Sequence, residues 1–224
     1  MSTYARKYQG TSLVYHVYNR SNGRVPVFKQ EQDFRYFISL IGKHCDELKV
    51  YHWAIMSNHY HLAVEFTVPE RMSRIMSSIQ RAYTHYHHST YRKNGYSWQG
   101  RFKSQPIQKE TYLITCGRYI ERNPVNAGII ATAEEYAYSS AACYCRGAID
   151  DITEQDPYYA DFGLNDQERR EKYREFLRSF SEEEEASYER MVYPQGNKEF
   201  VRRLRMLNGR LTSRRRGRRP LIVS

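Results

Sequence analysis

The 224-residue sequence has no apolar run near the 18 or more residues that a membrane-spanning helix requires, and its opening stretch MSTYARKYQG lacks the apolar segment of a signal peptide. A soluble, cytoplasmic chain with no membrane partner is expected. Cysteine is scarce: Cys45, Cys116, Cys143 and Cys145 make a single C-x-C, neither a disulfide framework nor the C-x-x-C of a zinc ribbon, so reduced thiols are expected. There is no phosphate-cradling G-x-x-x-x-G-K-[ST] loop and no internal repeat. Acidic residues are few at both ends. Residues 1–130 carry 18 Lys+Arg against 8 Asp+Glu, residues 131–197 carry 7 against 16, and residues 198–224 carry 10 against 1. The net charge of +10 therefore sums a basic, an acidic and a second basic block, and the basic blocks point to a polyanionic partner.

Hydrophobic residues make up 40% of the chain and aromatics 14%, enough to build a core. Residues 11–20 alternate Leu13, Tyr15 and Val17 against Val14, His16 and Tyr18, which predicts a strand. A helix follows over 30–47, then strands over 49–56 and 60–66, a long helix over 69–91, a short strand near 104–108, and a helix over 110–122 that Pro124 is expected to end. This order predicts an α+β fold, a ferredoxin-like antiparallel sheet with helices packed on one face. Residues 1–147 read as one folded domain. Residues 148–197 read as an acidic linker (DDITEQDP) with a charged helix containing Glu182–Glu185, and 198–224 as a basic helix with a disordered-looking arm.

Chemistry concentrates in two places. In Asn58-His59-Tyr60-His61 the period of two puts His59 and His61 on one face of a strand, so two imidazoles can address one cation; in isolation, a half-exposed strand with two histidines explains the motif equally well. In ETYLITCGRYIERNP, Tyr119 and Asn123 lie one helical turn apart and share a face, where the ordinary alternative is core packing for the phenol and a helix cap for the amide. His85, His87 and His88 make only an imperfect second metal set, and His52 is a weaker zinc candidate still.

Several segments in order are similar to the HUH single-tyrosine transposases, and within them to the REP-associated tyrosine transposases. These are YHVYNRSNGRVPVF, MSNHYHLAVE, YSWQGRFKS, RYIERNPVNAGI and EEYAYSS, spanning roughly residues 8–147. Ser57 stands where proline is common in the family, and Tyr60 fills the hydrophobic position between the histidines. The resemblance implies the HUH endonuclease fold, His59, His61 and Asn123 as ligands of a divalent metal, and Tyr119 as nucleophile. The implied cofactor is Mg²⁺ or Mn²⁺, with Zn²⁺ or Ni²⁺ able to substitute. The implied activity is metal-dependent cleavage and strand transfer on single-stranded or hairpin, REP-like DNA through a 5′-phosphotyrosine, in the bacterial cytoplasm near the nucleoid. A nucleic-acid-binding regulator that keeps the fold without transposing is the alternative, and a zinc hydrolase built on His52, His59 and His61 is a third. In the families the chain resembles, insertion-sequence relatives share active sites across dimers and REP-associated members act as monomers; the long extension favours a monomer here over a dimer.

Candidate DNA contacts are Arg20, Arg24, Trp98, Arg101, Lys103, Arg118 and Arg122, where Trp98 could equally plug the core and the arginines could be solvated faces. The basic arm RLTSRRRGRRP would track phosphates, or it would dock on the chain's own acidic block. Residues 150–197 are further expected to cover the basic DNA surface and restrain activity.

Overall fold

The computed structural model describes residues 14–179 and 196–208. The expectations for Glu182–Glu185 and for the basic arm beginning at Arg210 lie outside the described residues.

Four strands, β1 (Val14–Arg20), β2 (Leu48–Met56), β3 (His59–Phe66) and β4 (Lys103–Ile107), form one antiparallel sheet in the order β2-β3-β1-β4. The sequence places β-branched and aromatic residues on both faces of β1 and β3, and both faces are covered. One face packs on α1 (Glu31–Gly42) and α2 (Met72–Tyr91), which contribute Phe34, Phe37 and Ile41 and Met72, Ile75, Met76, Ile79 and Tyr83 to the main core. The other face packs on α3 (Lys109–Asn126), where Leu113, Cys116, Tyr119 and Ile120 meet Val14, Ala54, Ala63 and Ile107. Helices on one face only was the expectation. The two-sided strand pattern, with Val14 and Ala63 as apolar as Tyr15 and Leu62, is what calls for a helix on each side.

Pro124 does not end α3, which runs on to Asn126. Proline removes the N–H that would bond the carbonyl of residue 120. The Asn123 side-chain amide replaces it, donating to the carbonyls of Ile120 at 3.2 Å and Tyr119 at 2.9 Å. The orphaned acceptor is thus satisfied without breaking the helix.

Residues after 126 complete the sheet rather than trail from it. Tyr138 accepts the backbone N–H of Ile55 and the Ser140 hydroxyl accepts that of Trp53, while Glu154 donates its N–H to Val50, so the open edge of β2 is covered. The stretch 150–157, expected as a linker, is packed, with Ile152 and Asp156 buried. Behind it, α4 (Ala141–Arg146) and α5 (Asp166–Arg178) build a third cluster from Tyr144, Cys145, Tyr159, Tyr173 and Leu177. A basic helix, Lys198–Asn208, docks Phe200 and Leu204 into the main core. Removing residues 148–224 would therefore open buried clusters, and its effect on DNA affinity would not report on charge alone.

A buried polar network ties these parts to α3. His52 Nδ1 bonds Glu121 at 2.9 Å and Nε2 bonds Asp156 at 2.8 Å, and Glu121 also accepts from Ser140 at 2.6 Å and Tyr173 at 2.8 Å. Gly117 permits the approach: a Cβ there would lie 2.5 Å from the His52 ring. Burial pushes the His52 imidazole down, but the two carboxylates outweigh it and raise its pKa to about 9. With the folded-state value raised, this stabilisation is complete below the ordinary value of 6.5 and is lost as pH climbs through about 9. Melting temperature is expected to fall from neutral pH toward pH ~10. A His52→Gln chain, which cannot titrate there, is expected to give a flatter profile by calorimetry; equal slopes would refute the ion pair.

Candidate active site

At the end of the α3-facing side, β1 contributes His16, Tyr18 and Arg20 and β3 contributes His59 and His61, because alternate residues share a face. The antiparallel register sets Tyr18 opposite His61 and Arg20 opposite His59. The ring centroids of His59 and His61 lie 5.2 Å apart. Tyr119, reaching down from α3, places its ring edge-on to His61 at 5.9 Å and to His16 at 6.0 Å. Asn123, one turn further, brings its side chain within hydrogen-bonding reach of His59. The four residues singled out from sequence thus meet in one place.

The imidazoles are held neutral. Burial, with the Arg20 guanidinium nearby, lowers the His59 pKa to about 4. Burial and the neighbouring cationic groups hold His61 well below the ordinary 6.5. Burial alone takes His16 down to about 3. Neutral histidines carry one ring proton each and offer one lone pair each.

The donor set suits a divalent cation. His59 Nδ1 donates to Asn58 Oδ1 at 2.6 Å, and the Asn123 amide nitrogen is committed to helix carbonyls. The remaining His59 lone pair and the Asn123 amide oxygen are both electron-pair donors, a pairing that a cation satisfies. His61 Nδ1 is engaged by His16, leaving Nε2 as its third donor. Among the described residues no group of three or more His, Cys, Asp or Glu is placed to hold a metal.

Sequence reasoning did not single out His16. Its signal was the period of two in β1, which puts it on the Tyr18 face, but the pairing of β1 with β3 is a long-range fact. His52 does not join the site, since both its nitrogens are held by carboxylates, so the zinc set of His52, His59 and His61 is not assembled.

The candidate DNA contacts divide. Arg20, Arg24, Arg101 and Lys103 are exposed, and Lys103 lies 5.6 Å from the centre of the Tyr18 ring. Trp98 belongs to the main core, donating its indole N–H to Thr84 at 3.1 Å, and its edge floors a shallow groove of ≈ 450 Å³ with Arg81, His85 and His88 on the rim. Arg118 is buried with its guanidinium 4.1 Å from the Phe176 ring centre, and Arg122 donates to the Leu177 carbonyl at 2.8 Å. Both arginines face the C-terminal end of α5, whose carbonyls favour cations. Of the expected acidic cover, α5 takes these two cations and leaves Arg20 exposed. His87 is buried and stacks near Tyr83 and Tyr91, and His88 bonds Ser97, so no second metal set forms there.

No helix among the described residues is long and apolar enough to cross a membrane. No curated protein matches the chain. Among solved structures, a REP-associated tyrosine transposase described as bound to a REP hairpin is similar at 22% identity and a TM-score of 0.53, over 70% of this chain and 93% of that one. The likeness shows a shared fold. The family described as "Transposase IS200 like" matches residues 9–123, and with half the chain inside that match and the site residues His59, His61, Tyr119 and Asn123 all within it, the chain belongs to the IS200-like transposase family.

Proposed function

We propose that this transposase cleaves and rejoins single-stranded or hairpin DNA, REP-like in kind, through a 5′-phosphotyrosine at Tyr119. His59, His61 and Asn123 would hold Mg²⁺ or Mn²⁺. The observation that carries the reading is the convergence of two neutral imidazoles, an amide oxygen and a phenol at the end of the sheet, beside the exposed Arg20. The structural neighbour's hairpin supports a hairpin substrate here.

The chemistry follows from these groups. Tyr119 Oη attacks phosphorus in line, the bond from phosphorus to the 3′ oxygen breaks, and that oxygen leaves as a 3′-OH. The phenol's proton is released to solvent or to the leaving oxygen. The new phosphodiester keeps the energy of the old one, so rejoining needs no nucleotide. A divalent cation, when bound, supplies charge neutralisation at the phosphate and polarises it. Arg20, close enough to depress both histidines, is placed to contact the same phosphate. A phenol has an ordinary pKa of about 10 and needs help to act near neutrality, and a cationic environment supplies it.

The test is covalent trapping on labelled hairpins with Mg²⁺. A denaturant-resistant adduct is expected, and EDTA added before the DNA is expected to prevent it. His59→Ala and His61→Ala are each expected to cut its formation by about 100-fold or more, the scale of losing one electrostatic stabiliser, with the fold unchanged. Tight binding without any adduct would favour a regulator that retains the fold. Undiminished cleavage in EDTA would remove the metal from the reading.

A further inference from the structure

We propose that His16 is a positioning residue for the metal-binding pair: it accepts the Nδ1 proton of His61 and thereby fixes the tautomer that leaves His61 Nε2 bare for the cation. This rests on the metal-site reading given above.

His16 and His61 share the α3-facing side of neighbouring antiparallel strands, but they are not opposite one another. His16 pairs with Ala63 and His61 with Tyr18, so the two imidazoles are diagonal neighbours. Only long or ring side chains bridge that diagonal. Here they do: His16 Nε2 and His61 Nδ1 are 2.8 Å apart, both residues are buried, and the rings are stacked with centroids 5.0 Å apart. Ala63, directly across from His16, has too small a side chain to fill the space, and the ring turns along the strand toward His61.

The chemistry then restricts the proton. A neutral imidazole has one N–H and one lone pair, and to ligate a cation it must present the lone pair and hide the N–H. His61 Nδ1 is occupied by His16, so Nε2 is the nitrogen it can offer. Two directions are open to the bond between them. If His16 donates, the proton of His61 must sit on Nε2 and blocks ligation. If His61 donates, Nε2 is free. Ligation therefore requires His16 to act as acceptor, with its own proton on Nδ1.

His59 reaches the same arrangement by another route. Its Nδ1 donates to Asn58 Oδ1, and the Asn58 amide nitrogen is fixed by donating to the Arg24 carbonyl at 2.9 Å. An amide oxygen can only accept, so the bond to Asn58 draws the His59 proton to Nδ1 and turns the other nitrogen, which faces the Asn123 side chain, toward a cation. Each candidate ligand thus has one dedicated partner, an amide for His59 and an imidazole for His61. Such outer partners orient ligands and raise their basicity, and their loss typically costs 10–100-fold in metal affinity. The edge-on contact of His16 with the Tyr119 ring at 6.0 Å makes the same side chain a wall for the phenol.

The experiment compares Mn²⁺ affinity, by calorimetry or electron paramagnetic resonance on the full chain without DNA, among the wild type and the His16→Phe, His16→Gln and His61→Ala variants. Phenylalanine fills the buried ring space and cannot accept a proton; glutamine keeps an acceptor oxygen. His16→Phe is expected to weaken Mn²⁺ binding by about 10–100-fold. His16→Gln is expected to recover most of the loss. Nitrogen-15 spectra of the wild-type histidines are expected to show His61 protonated on Nδ1, a readout that holds even if His16→Phe fails to fold. The proposal is overturned if His16→Phe binds Mn²⁺ as the wild type does, if the glutamine and phenylalanine variants lose affinity equally, or if His61 carries its proton on Nε2. His61→Ala separates the two levels. Loss of binding in His61→Ala but not in His16→Phe removes the role of His16 alone, whereas unchanged binding in His61→Ala removes the metal site and this proposal with it.

Discussion

A Tyr119→Phe chain is expected to form no covalent DNA adduct and to cleave at a rate lower by about 10⁴-fold or more, the scale seen when a nucleophile is removed, while binding the same DNA. The substitution deletes only Oη. The ring keeps its edge-on contacts with His16 and His61 and its place in the cluster with Ala63 and Ile120, and the DNA-binding arm of the experiment separates lost chemistry from lost fold. Gel separation of a denatured, radiolabelled reaction measures the adduct, and filter binding measures the DNA affinity. Wild-type levels of adduct would end the assignment. Adduct mapped by peptide analysis to Tyr18, the second phenol stacked against His61 at 5.6 Å, would transfer it. Burial raises the Tyr18 pKa, which leaves that phenol protonated and less suited to attack.

A Glu121→Leu chain is expected to lose about 3–5 kcal/mol of stability, because one member of a fully buried ion pair is removed while the others stay. The side chains of His52 and Glu121 have no solvent exposure, and Glu121 takes three donors from three different segments. Leucine would leave the Ser140 and Tyr173 hydroxyls without their acceptor and the imidazolium with Asp156 alone. Urea unfolding followed by circular dichroism measures the loss. A change under about 1 kcal/mol would mean that water or another side chain relieves the site, contrary to the burial on which the argument rests.

The sequence made the strand histidines and the phenol–amide pair legible because each depends on a local period: two for His59 and His61, four for Tyr119 and Asn123. That these two pairs meet was supplied by the family resemblance and not by spacing. His16 lies 45 positions from His61 and His52 lies 104 from Asp156, and no local pattern encodes such pairings. Pro124 misled because the rule that proline ends a helix assumes an unsatisfied carbonyl, and here the residue before it supplies the missing donor from its side chain. Arg118 and Arg122 looked like surface groups by residue type, and Trp98 was open between a base-stacking platform and a core plug. Their fates were decided by α5 and by the Thr84 hydroxyl, which are tertiary neighbours. Residues 150–157 read as a linker from their charge, yet Asp156 is one of the most buried groups in the chain.

The network that anchors α3 bears on more than stability. Glu121 sits two residues after Tyr119 and two before Asn123, and it is held by β2, by the start of α4 and by α5 of the same chain. Exchanging this helix with a second copy would first require breaking a buried ion pair. Under the proposed mechanism, the phenol and the histidines of one polypeptide meet at an effective molarity set by the fold instead of by the concentration of protein. Dilution leaves that molarity untouched, so turnover per chain should hold constant at concentrations where a shared site would fall apart.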